Sequence, residues 1–62
     1  MNFIELTGEE GNTLLINFNY VTVVSPDDEG GSILLLDDGS HAIVIDSYES
    51  IKDTIDWRQR NA

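Results

Sequence analysis

Histidine is the side chain best suited to move protons near neutral pH, and this chain has one, His41. Ser40 precedes it and Asp38 lies close by. A serine, a histidine and a carboxylate in contact make a nucleophile, a base and an orienting group. The spacing argues against that arrangement. Adjacent residues of a strand point to opposite faces, so Ser40 and His41 diverge. His41 reads as a strand-end histidine that shares a face with Ile43 and Ile45.

The densest acidic run is Asp27-Asp28-Glu29. A calcium loop needs oxygen ligands at alternating positions, a central glycine and a closing carboxylate at its twelfth position. Counted from Asp27, Asp38 takes that place, but Gly31 and Ser32 occupy the wrong slots, and a strand between the ends would pull them apart. The run reads as a solvated loop. With no cysteine in the chain, disulfides and thiolate metal sites are excluded, and one histidine does not make a zinc site. Phosphate-cradling glycine motifs and an HExxH pair are absent as well. A chain of 62 residues leaves little room for a substrate cleft. The reading is a non-enzyme with no catalytic, cofactor-binding or metal-ligating residue.

The charge is one-sided, with twelve Asp or Glu against three Lys or Arg and a formal net charge of −9. All three cations (Lys52, Arg58, Arg60) fall near the C-terminal end. Such a field repels phosphate backbones and anionic membranes, so direct nucleic-acid binding and membrane insertion are not expected. A basic protein partner, or solubility alone, fits it. No stretch is apolar enough to span a bilayer and no signal peptide is apparent, so a cytoplasmic location is the default expectation.

The elements follow from pattern. The whole chain, 1–62, reads as one small domain, with strands over about 2–7, 12–17, 20–25, 32–37 and 41–45 and a helix over about 47–60. Gly8-Glu9-Glu10-Gly11 and Asp37-Asp38-Gly39-Ser40 are reversals, the second with the Asp-Gly pair of a type I′ turn. Asn17-Phe18-Asn19 marks a tight bend. Asp46 with Glu49 three positions on makes a capping box, with Ser47 as a competing cap. Tyr48, Ile51 and Ile55 then form one apolar stripe at helical spacing. The fold class expected is mainly β: a five-strand antiparallel sheet, curled or closed into a small barrel, followed by one C-terminal helix.

The runs Ile33–Leu36 and Ala42–Ile45 are apolar at every position, so both of their faces ask for burial. One helix cannot cover both. The surplus face is expected to be buried against another copy or a partner, with Leu34, Leu36 and Val44 as interface candidates. Trp57 is the fourth. At about 100° per residue it lies roughly 150° around the helix from the Tyr48–Ile51–Ile55 stripe. Either it stands exposed as an interface anchor, or the helix frays after Ile55 and Trp57 folds back over the sheet edge. The sequence leaves both open.

Three stretches, FIELTGEEGNTLLIN, YVTVV and ILLLDDGSHAIVIDSYESIKDTI, together resemble the small FlbD-type flagellar proteins. Asn17, Gly39 and the segment from Ile45 to Ile55 match best. The chain departs from that family at Phe18, where a proline is typical, in its longer PDDEGG insert and in its acidity. From Leu14 onward it also looks like half of a LytTR-type DNA-binding domain, but without the basic residues such a domain places on DNA. The flagellar resemblance implies a small interaction module that assembles with itself and docks on another protein. The charge supports an alternative, an acidic inhibitor, phage-encoded, that mimics nucleic acid in a basic groove.

Overall fold

A computed structural model describes residues 2–61. Five strands, a short 3-10 turn and one helix follow in order: β1 (Phe3–Thr7), β2 (Thr13–Asn17), η1 (Phe18–Tyr20), β3 (Val21–Pro26), β4 (Ser32–Leu36), β5 (His41–Val44) and α1 (Tyr48–Arg60). The mainly β class with one C-terminal helix is as expected. The single curled sheet or barrel is not. β1 and β2 form a two-stranded antiparallel sheet, and β3, β4 and β5 form a separate three-stranded one, with neither closed.

The physical reason lies where the sheets meet. β1 and β5 touch through one bridge, Gly8 to Val44, with the Ile45 N–H donating to the Thr7 carbonyl at 2.9 Å. Beyond that corner β5 ends and the chain turns toward α1. The Thr7 N–H goes to the Asp46 carboxylate at 2.6 Å instead of to a strand. Ser32, fully buried, donates its hydroxyl to the Asp46 carbonyl at 2.8 Å and ties the same corner to β4. Asp46 is thus a brace between sheets and not the helix cap. Ser47 is the cap, accepting from the Ser50 N–H at 3.1 Å.

All three hairpins use one device. Glu9-Glu10-Gly11, Asp28-Glu29-Gly30 and Asp37-Asp38-Gly39 each place two carboxylates at the centre of a turn and a glycine at positive φ after them. Each glycine N–H returns to the carbonyl three residues earlier, at 3.0–3.1 Å. Among the described residues no non-glycine has positive φ, so these are type I turns followed by a left-handed glycine. The type I′ turn expected at Asp38-Gly39 is therefore replaced by the longer loop. Asn17 accepts from the Asn19 N–H at 3.0 Å and caps η1, which takes Tyr20 out of β3.

The core lies between the two sheets and α1. Ile4 and Leu6 come from β1, Leu34 from β4, Val44 from β5 and Ile51 from α1. Leu14, Ile16, Phe18, Val21, Val24, Ala42 and Ile55 pack around them. The helix presents the expected stripe, with Ile51 buried and Tyr48 and Ile55 half-buried. No helix among the described residues is long and apolar enough to cross a membrane.

Candidate functional site

Strand register decides which face each apolar residue takes. Residues directly opposed in an antiparallel pair share a face. Val24 opposes Leu34, which opposes Ala42, and Ser32 opposes Val44. This is the inner face. Val23 opposes Leu35, which opposes His41, while Ser25 opposes Ile33, which opposes Ile43. This is the outer face, and α1 does not cover it. Val23 is 50% exposed and Ile43 40%, with Ile33 and Leu35 half-buried between them.

The expected second apolar face therefore exists, with the opposite parity from the one expected. Leu34 and Val44 sit at 0% and 1% exposure in the chain's own core and have no surface to give a partner. Leu36 is half-buried on the inner side, opposite Val21. Trp57 stands 65% exposed on α1, so of its two placements the uncovered one holds. His41 carried the signal that settles the parity. A lone polar residue turns outward, and Ile43, two positions on, turns with it while Val44 turns in.

No carboxylate, lysine or arginine lies among Val23, Ser25, Ile33, Leu35, His41 and Ile43. In a chain of net charge −9 these six positions form a patch without carboxylates, bordered by acidic residues at its Ile43 end. The acidic residues gather elsewhere, six of the twelve at the centres of the three hairpin turns. Two of those turns meet at one end, where Glu9, Asp27 and Glu29 rim a hollow of about 140 Å³ beside Ile43 and Ile45. The third lies at the far end of β4.

The serine, histidine and acid near the last hairpin do not assemble. Ser40 gives its N–H and hydroxyl to Asp38, at 2.8 and 2.6 Å. Those two bonds hold the Asp38 carboxyl below its ordinary value of 3.8. His41 faces Leu35 across the sheet. Asp27 and Asp38 occupy turns at opposite ends of β4, too far apart to share an ion, and no cluster of three or more His, Asp or Glu among the described residues is placed to hold one.

A second opening lies between β2 and the ends of β4 and β5. It is a groove of about 330 Å³ lined mainly by Leu14, Leu15, Ile16, Tyr20, Leu36 and Ala42. Leu15, 66% exposed, and Tyr20, 56% exposed, form its rim. Nothing in the pattern of Thr13–Asn17 marks it in the sequence.

The chain matches no family model, no curated protein and no solved structure.

Proposed function

We propose that this chain is a small acidic, non-enzymatic interaction module that associates with itself and docks on another protein. The observation that carries this reading is the outer face of β3–β4–β5, which is apolar, uncovered and free of carboxylates. Fully burying a Val, Leu or Ile side chain contributes about 1.5–3 kcal/mol, and a domain this small has only a few kcal/mol in hand. With no disulfide to compensate, covering that face is worth a large share of the total. A second copy brings an identical carboxylate-free face, so two chains can stack sheet on sheet about 10 Å apart without opposing charges of one sign at the centre.

The likeness to FlbD-type flagellar proteins supports an assembly role of that kind, to be tested by the neighbourhood of the gene among flagellar genes. The alternative, a nucleic-acid mimic, draws less support. Half of the carboxylates sit at hairpin tips at both ends of the molecule, whereas a phosphate mimic needs them in a row.

The absence of cysteine gives a direct test. Leu35→Cys places one thiol at the centre of the outer face, and Thr54→Cys places one on exposed α1. A short bis-maleimide should join Leu35→Cys chains into covalent dimers at micromolar concentration and leave Thr54→Cys monomeric. Equal yields from the two variants would refute self-association through this face.

A further inference from the structure

β2 is an edge strand, and its open side is built to accept another strand. The Gly8 N–H donates to the Asn12 carbonyl at 2.7 Å and the Phe18 N–H to the Asn2 carbonyl at 2.8 Å. Backbone bonds in an antiparallel pair alternate, so Leu14 and Ile16 direct theirs to β1, and Thr13 and Leu15 direct theirs outward. Among the described residues nothing pairs with that side. The strand also lacks the usual protection of an edge, since TLLIN contains no charge and no proline. β3, one of the two edges of the other sheet, has both Pro26 and a bulge between Val21 and Val23. Beside the unprotected edge runs the apolar groove with Leu15 and Tyr20 on its rim.

We propose that this edge binds an extended segment of a partner protein as an added strand, with alternating apolar side chains at its centre and Lys or Arg at both ends. The proposal rests on the interaction-module reading and names the chemistry of the partner. Charge selects the occupant. Glu9 and Glu10 stand in the turn at the Thr13 end of β2. Asp37, whose N–H donates to the Tyr20 carbonyl at 2.9 Å, stands at the other end. Glu5 is directly across from Leu15. A second copy of β2 laid antiparallel would bring its own Asp37 toward Glu9 and Glu10, and its own glutamates toward Asp37. A parallel copy would set each acidic end beside its twin. Both registers oppose like charges, whereas a segment with cationic ends meets attraction at each. Main-chain pairing then gives affinity, and the groove sorts the side chains. Five residues of strand extend about 17 Å, which sets the distance between the two basic ends.

The probe is a fluorescein-labelled peptide, KRTVTVTRK, followed by anisotropy against the full chain, with ETEVTVTEE as its acidic control. Saturable binding of the basic peptide is expected, weakening by about tenfold or more from low to physiological salt as the charges are screened. Leu15→Pro removes the outward N–H, and Leu15→Lys sets a cation at the edge while keeping the backbone. Both should lose at least about tenfold in affinity while circular dichroism stays native, and Leu35→Glu, on the other surface, should bind normally. Should Leu15→Pro fail to fold, Leu15→Lys decides alone. Undiminished binding by Leu15→Lys, equal binding of the acidic peptide, or no binding of the basic peptide at low salt would each overturn the proposal. A fall in oligomer mass confined to the Leu15 variants would overturn it too, in favour of a second copy at this edge. The peptide-binding results do not bear on cross-linking at Leu35, so the two surfaces are judged separately.

Discussion

Asp38 shows how a single carboxylate is held by its neighbour. The Ser40 hydroxyl and N–H both donate to it, and both favour the ionised form, so its pKa falls below the ordinary 3.8. The sign follows from linkage. A carboxylate whose folded pKa is depressed contributes stability that is present above its unfolded pKa and lost as pH falls through the folded one. An NMR titration should therefore find the Asp38 midpoint below 3.8, and Ser40→Ala should raise it toward that value. A midpoint unmoved by Ser40→Ala would show that the hydroxyl does not set it. The backbone geometry of this turn, though not its serine, recurs at Glu9-Glu10-Gly11 and Asp28-Glu29-Gly30. Much of the chain's acidity is thus explained by where turns occur, independently of any partner.

At the scale of elements, the chain entering β4 runs close against the end of β5, beside the corner where the sheets meet, and Gly31 is what permits it. Gly31 is buried, and a Cβ there would run into the Val44 carbonyl oxygen. Gly31→Ala should cost about 1–3 kcal/mol by forcing β4 and β5 apart. Gly8→Ala is the contrast, since the nearest atoms its Cβ would meet, from 2.6 Å, belong to the Asn12 side chain, which can swing away. Thermal melts that rank the two variants in the reverse order would show that the close approach at Gly31 does not limit the fold. The elements themselves were legible in the sequence, because Gly-containing turns and the change of period after Asp46 are local signals. Ile51 and the helical stripe were legible for the same reason. The split into two sheets was not, since it depends on Asp46 bonding to Thr7, 39 positions away in the chain. The parity of β4 was obscured because every position of Ile33–Leu36 is apolar, which leaves alternation nothing to act on, and His41 on β5 is the one mark of it. The β2 edge was invisible for a different reason: an edge is defined by what fails to pair with it.

For the molecule as a whole, charge and apolar surface are segregated. The outer face of β3–β4–β5 holds no carboxylate, the hairpin tips carry six, and all three Lys or Arg lie on α1. Association of like-charged chains through a carboxylate-free face has a distinctive salt dependence. Screening the repulsion between two copies of charge −9 should strengthen the assembly, whereas binding to a basic partner should weaken. Light scattering on a sizing column, run at micromolar concentration in low and in moderate sodium chloride, reads this directly. The account predicts a multiple of the 6.9 kDa chain mass, more fully populated at the higher salt and reduced by Leu35→Glu. A stable 6.9 kDa monomer under both conditions would contradict it.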